Sequence, residues 1–279
     1  MKKNILISLI LVLALVFTAC ASNGGEDTPE DPKGGADNGA LEKVVIGVSP
    51  APHAEIVEAL EDEFIAAGIE IDLVTFDDYV QPNLALDDGD LDMNYFQHKP
   101  YLDNFNEEHN LELVVIGQVH VEPLALYSDK YDSLDELPDG AEILIPDDPT
   151  NGARALLLLQ SEGLIELKDP TDLMATENDI VTNPKNLKFT ALDAANIART
   201  YTDVDGGIIN ANFAIDAGLN PVKDGILVEG DQSPYANILA VRAGDENNET
   251  YKKVVEVLNS DKAREFIETE YEGTITPVF

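Results

Sequence analysis

Hydrophobic positions follow two rhythms along this chain, and the rhythms alternate. Lys43–Val48 is a short apolar run (Val44, Val45, Ile46, Val48) of the kind that forms a strand buried on both faces. Over Ala54–Ala67 the spacing becomes helical. Ile56, Val57, Leu60 and Phe64 share one face, and Glu58, Glu61 and Asp62 share the other. Gly68 stands where a helix C-cap belongs, and Ile69–Leu73 then alternates apolar and acidic positions as a half-buried strand does. Strand, helix and strand in this compass form a βαβ unit, which implies a parallel pair.

The alternation continues. A short helix is expected after Phe76–Asn83, ending near Gly89. Leu111–Leu126 holds two apolar runs broken by Pro123, which predicts a strand and then an extended segment crossing between lobes. Pro138–Gly140 is a turn, and Glu142–Ile145 a strand. A helix follows through Gln160, closed by Gly163, with Thr150 as the expected N-cap. Further strands are predicted at Asn186–Thr190, Val204–Asn210, Ile226–Glu229 and Tyr235–Val241. Helices are predicted at Leu192–Thr200, from Asn210 to Ala217, at Glu249–Leu258 and at Asp261–Tyr271. The Gly206-Gly207 pair inside a strand implies that something packs close to its backbone. The class is α/β, and 279 residues suffice for two ordinary domains.

The first residues carry a different pattern. Lys2 and Lys3 precede an apolar run from Ile5 to Phe17, and Thr18-Ala19-Cys20 follows. A basic start, a short apolar core and small residues make an export signal over residues 1–19, too short for a comfortable membrane span. Cys20 is the single cysteine, so it has no internal disulfide partner. Its setting resembles a bacterial lipobox, with Phe17 where Leu is usual, and acylation of Cys20 would explain an unpaired thiol in an exported protein. Several acyl chains on one cysteine would hold firmly to a membrane. Residues 20–42 read as an acidic tether, rich in Gly, Pro, Asp and Glu, that is too polar to offset its ordering entropy.

Charge removes one class of partner. There are 17 basic residues against 54 acidic ones, a formal net charge of −37, which excludes nucleic acid. An anionic membrane surface repels the body of such a protein, so membrane contact is expected through the lipid anchor only.

The candidate chemistry centres on Asp92–Asp103, which packs Tyr95, Phe96, His98 and Tyr101 around Asn94 and Gln97 in a chain with nine Phe, nine Tyr and no Trp. Pro100 starts a helix where its missing N–H costs nothing. Aromatics at the end of a strand, in a loop, can be a buried cluster or a ligand wall. Arg154 poses a similar choice. A cation near the start of a helix opposes the dipole, so it calls for an anion, either Asp147 or Asp148 or one carried by a ligand. Gly47-Val-Ser-Pro-Ala51 fails as a nucleophile elbow, because Ala51 replaces the second glycine and Pro50 has no N–H to give. His53, His98, His109 and His120 form no helical pair, and no thiol remains to join them. Neither metal nor cofactor is expected, and no catalytic residue stands out. By subtraction the chain reads as a binding protein, not an enzyme.

Four pieces together resemble the methionine-binding lipoproteins of ABC importers, the MetQ/NlpA type: Phe96-Gln-His-Lys-Pro-Tyr101, Asp148-Pro-Thr-Asn151 with Arg154, Gly207-Ile-Ile-Asn210 and Ser233-Pro-Tyr-Ala-Asn237. The resemblance runs from about Lys43 to the C-terminus. It implies a two-lobed periplasmic-binding-protein fold with the ligand in the interlobe cleft, a methionine ligand, and a permease with its ATPase as partners. It also implies an extracytoplasmic, lipid-anchored place on the cell membrane. By that resemblance Tyr79, Phe96, His98 and Tyr101 surround the thioether, Arg154 holds the carboxylate with its bidentate fork, and Asn210 and Asn237 fix the backbone groups. Lobe 1 would comprise 43–125 and 231–279, lobe 2 would comprise 126–230, and the hinge would lie near Pro123 and Gly230. Asp147 and Gly152-Ala153 depart from the family pattern near the site. They leave open the stereoisomer and a methionine-containing dipeptide. Another amino acid, or a surface interaction lipoprotein with a vestigial cleft, is the competing reading.

Overall fold

The computed structural model describes residues 40–230 and 234–279; the export signal, Cys20 and nearly all of the tether lie outside them. Two principal sheets organise the described residues. In the first, the strand order is Thr276–Pro277, Leu113–Val121, Ala236–Arg242, Met93–His98, Glu42–Val48, Ile69–Thr75. Glu42–Val48 pairs in parallel with both Ile69–Thr75 and Met93–His98, as the βαβ pattern requires. Ala236–Arg242 runs antiparallel between Met93–His98 and Leu113–Val121, which weaves the C-terminal part of the chain into the N-terminal sheet.

The second sheet has the order Leu227–Val228, Ala125–Tyr127, Gly206–Ile209, Glu142–Pro146, Lys188–Leu192. Each sheet has its own core. Ile46, Ile56, Phe64, Tyr95 and Val254 belong to one, and Leu126, Ile143, Leu156 and Ile208 to the other. The chain leaves the first sheet at Val121, enters the second at Ala125, and returns after Val228. No helix among the described residues is long and apolar enough to cross a membrane.

The structure departs from the sequence pattern in three places that matter for the site. The helix expected over Ala54–Ala67 is broken. Glu55–Glu58 and Glu61–Ala66 are helical, and Leu60, at φ −107° and ψ 15°, leaves the helical region between them. Ile56, Val57, Leu60 and Phe64 still enter one core on either side of the break. The helix Pro149–Ser161 is capped by Asp148, not Thr150. Pro149 fits the first helical position and forces an extended residue before it, and Asp148 at φ −71°, ψ 144° meets that demand. The strand expected at Asn186–Thr190 is Lys188–Leu192, and Asp193 then caps the helix Ala194–Thr200. Ile197 of that helix and Tyr201 just past its end pack on Gly207. A Cβ on Gly207 would lie 2.7 Å from Tyr201 Cβ and 2.8 Å from Ile197 Cγ2, so only glycine fits there.

Candidate functional site

Met93–His98 lies in the interior of the first sheet, and all six residues are buried. Successive strand residues face opposite sides. Met93 and Tyr95 join the main core, whereas Phe96 joins a separate aromatic cluster with Tyr101 and Phe105. The stretch expected to be a loop is thus a strand that runs straight into the helix Lys99–His109, with Pro100 in its first turn.

His98 caps that helix. Its Nδ1 accepts the Tyr101 main-chain N–H at 3.2 Å, so Nε2 carries the ring proton and donates it to Asn151 Oδ1 at 3.1 Å. Burial, with the Arg154 charge beside it, pushes His98 down to about 3, and the ring is neutral. Tyr79 packs its ring at tilted or edge-on angles 5.9 Å from Phe96, 5.7 Å from Tyr101 and 4.8 Å from Phe213, which extends the aromatic wall to the second lobe. The Tyr79 hydroxyl donates to Asn212 Oδ1 at 2.5 Å, and the Tyr101 hydroxyl donates to the Tyr79 carbonyl at 3.0 Å.

Arg154 is only 4% exposed and lies beyond the first turn of its helix. Its anion is neither Asp147 nor Asp148. Nε donates to Glu229 Oε1 at 3.0 Å, and Nη2 donates to Glu229 Oε2 and, at 2.7 Å, to the Glu122 carbonyl. The guanidinium sits over the Tyr235 ring, 4.3 Å from its centre. The fork expected to face a ligand is therefore occupied, and Nη1 is the guanidinium nitrogen left without a hydrogen bond among the described residues. Asn210 donates Nδ2–H to Asn151 Oδ1 at 2.8 Å. Asn237 accepts from His53 Nε2 at 3.1 Å.

All seven residues singled out from the sequence line one cavity: Tyr79, Phe96, His98, Tyr101, Arg154, Asn210 and Asn237. The space there not filled by protein atoms is about 340 Å³, part of it open to solvent. Sequence reasoning missed Glu122, Asn151 and Asn212, which also line it. Glu122 had a signal, a lone acid in the apolar run Val119–Leu126. Asn151 stood within the Asp148–Asn151 motif, with its amide donating to Asp148 Oδ2 at 2.9 Å.

Beside the cavity, two segments bring His53, His120 and Glu122 together, with their ligand-type atoms within 4.8 Å of one another and all three residues buried. Sequence spacing gave no hint of this convergence. His120 Nε2 lies 2.7 Å from Glu122 Oε1, and His53 Nε2 lies 3.3 Å from the same oxygen. His120 Nδ1 is 2.6 Å from the Tyr95 hydroxyl. Three such groups are the number of an open zinc site, not of a closed one, and each is engaged in hydrogen bonding. Burial pushes His53 down to about 4, against the pull of Glu122.

A pH dependence follows from His53 and His98. Both are neutral in the fold and titrate near 6.5 when unfolded. The unfolded chain thus binds more protons below that pH, and stability falls as pH drops from about 6.5 toward 4. Each histidine contributes a slope of up to about 1.4 kcal/mol per pH unit in that window. Urea denaturation at pH 7 and pH 5 is expected to show the loss, and His98→Asn is expected to flatten it. Equal stability at the two pH values would contradict the neutral assignment.

Two α/β lobes with a buried, amide- and aromatic-lined cavity between them define a two-lobed substrate-binding protein. The chain belongs to the NlpA lipoprotein family, whose profile matches residues 44–279. It is 42% identical over 265 residues to the D-methionine-binding lipoprotein MetQ of Salmonella typhi, covering 94% of this chain and 93% of that one. It is 41% identical over 283 residues to the methionine-binding lipoprotein MetQ of Bacillus subtilis, covering 100% of this chain and 99% of that one. A nutrient binding protein from Burkholderia cenocepacia, solved bound to methionine, superposes with a TM-score of 0.82 at 42% identity, covering 85% of this chain and 100% of that one.

Proposed function

We propose that this protein captures methionine on the extracytoplasmic face of the cell membrane and delivers it to an ABC permease and its ATPase. The observation that carries this reading is the cavity itself. An aromatic wall of Tyr79, Phe96 and Tyr101 lies in the same buried space as Arg154 and a set of amides. A thioether is polarizable and packs well on aromatic rings. The amide and guanidinium groups suit the other end of an amino acid. The names of the Salmonella and Bacillus relatives, and the methionine in the Burkholderia structure, support the same ligand.

In this reading Cys20 is the acylated N-terminus and residues 20–42 tether the body. The lobes are 43–125 with 231–279, and 126–230. The two crossings, near Pro123 and Gly230, act as the hinge on which the lobes close over the ligand. The His98–Asn151 and Tyr79–Asn212 bonds are contacts between the lobes that closure makes.

Calorimetric titration with methionine and norleucine tests the role of the aromatic wall. Norleucine has a similar shape without sulfur, and it is expected to bind more weakly by about 0.3–1.5 kcal/mol, the scale of a sulfur–aromatic contact. Equal affinities would reduce the wall to plain hydrophobic packing. Absence of binding by either would remove methionine as the ligand.

A further inference from the structure

We infer that Asn212 and Phe213 form, with Tyr79, a partition that limits the length of the ligand side chain, and that opening it admits longer uncharged thioethers into a second pocket beyond. The inference deepens the proposed function and rests on the thioether lying against the aromatic wall.

The first ground is that a second pocket adjoins the cavity. Pro50 and Asp77 line it from the first lobe, and Ala195, Ala198, Arg199 and Phe213 from the second. The space there not filled by protein atoms is about 750 Å³, part of it open to solvent. Asn212 borders both spaces. The start of the helix Ala211–Asp216 therefore stands between them, with Ala211 on the cavity and Phe213 on the outer pocket.

The second ground is that the partition is built from a few specific contacts. The Tyr79 hydroxyl donates to Asn212 Oδ1 at 2.5 Å, and the Tyr79 ring lies 4.8 Å from the Phe213 ring. Asn212 is buried. The loop that carries Tyr79 is itself pinned. Asp78 Oδ1 accepts the Val80 and Gln81 N–H groups at 2.7 and 2.8 Å, and the Tyr79 carbonyl accepts the Tyr101 hydroxyl at 3.0 Å. Burial, with the charges of Glu122 and Asp148, raises the Tyr79 phenol, so it remains a donor. A side chain held in this way does not yield cheaply to an extra methylene.

The third ground is what lies on either side. On the cavity side, Tyr79 packs against Phe96 and Tyr101, the wall assigned to the thioether. The partition therefore stands where a longer chain beyond sulfur would meet it. On the far side, Pro50, Ala195 and Ala198 are small or apolar and leave room for an alkyl chain. Asp77 and Arg199 border that pocket with opposite charges, which singles out no ionic end group.

The test compares methionine with ethionine and S-butylhomocysteine, which carry an ethyl and a butyl group on sulfur in place of methyl. Each is titrated by calorimetry into wild type, Asn212→Ala and Phe213→Ala. One methylene is worth about tenfold or more against a tight pocket, so wild type is expected to prefer methionine over the butyl compound by about a hundredfold or more, with ethionine between. In each single variant that ratio is expected to fall to about tenfold or less. The ratio is internal to each protein, so a general weakening of the site does not mimic the effect. Adding Ala198→Leu to Phe213→Ala refills the outer pocket and is expected to restore the preference. A ratio that it leaves low would place the longer chain elsewhere and overturn the role of that pocket. A ratio unchanged in both single variants, or a wild-type preference below about tenfold, overturns the inference. Tyr79→Phe keeps the ring and removes only its bond to Asn212, so it is expected to lower the ratio by about threefold. Should neither truncation fold, an unchanged ratio in Tyr79→Phe overturns the inference. Failure of the parent reading looks different: the wild-type protein would bind none of the three ligands.

Discussion

Methionine affinity is expected to fall by about 2–5 kcal/mol in Arg154→Ala, the scale of truncating one partner of a buried charge pair. In dissociation constant this is roughly thirtyfold to five-thousandfold. Two effects combine. The donor Nη1 is lost to the ligand carboxylate. Glu229, whose side chain is 16% exposed, is also left unpaired beside that carboxylate and repels it. The double variant Arg154→Ala/Glu229→Gln is therefore expected to bind more tightly than the single one. Arg154→Lys is expected to recover only part of the loss, because a point charge cannot hold Glu229 at two oxygens and serve the Glu122 carbonyl at once. Methionine amide, which lacks the carboxylate, is expected to bind wild type and Arg154→Ala with similar affinity. Calorimetry of both ligands reads all of this. A wild-type affinity for methionine in Arg154→Ala would show that the carboxylate is held elsewhere.

Asn151→Ala is expected to damage both the fold and the cleft. Asn151 Oδ1 is the acceptor for His98 Nε2–H from the first lobe and for Asn210 Nδ2–H from the second. Both donors are buried, and each left without a partner costs about 1–3 kcal/mol. The loss also removes a direct bond between the lobes, so methionine binding weakens along with stability. Urea denaturation with and without methionine separates the two effects. A stability within about 0.5 kcal/mol of wild type, the range of a neutral surface change, would show that water replaces the amide.

The parts of this protein that were legible in its sequence are those fixed by neighbours in the chain. The βαβ unit of Lys43–Leu73 shows because apolar spacing and Gly68 act locally, and the Met93–Tyr101 stretch shows because its aromatic density is a local fact. Its placement was misjudged for a physical reason. A strand buried on both faces has no alternation to mark it, so six buried residues that include Asn94, Gln97 and His98 read as loop. The Asp148 cap was missed because Thr150 is also a good capping residue, and the decisive influence was the backbone restriction that Pro149 places on the residue before it. The least legible features are the pairings. Arg154 meets Glu229 at a separation of 75 residues, and His53 meets Asn237 at 184. Nothing in local pattern predicts either, because the antiparallel insertion of Ala236–Arg242 into the N-terminal sheet creates the second of them. Glu122 owes its importance to the same long-range assembly, since His53 and Arg154 come from segments far from it in the chain.

The central claim is that the cleft holds methionine by both its ends. The most direct test is mass spectrometry of what the protein carries from its own cells. The full-length protein is purified without denaturation, desalted, weighed intact under native conditions, and then denatured so that the released small molecule can be identified. The account predicts a single mass increment equal to methionine on the native protein, the same compound in the released fraction, and loss of that increment in Arg154→Ala. A different compound in the released fraction, or a methionine increment that persists undiminished in Arg154→Ala, would contradict it.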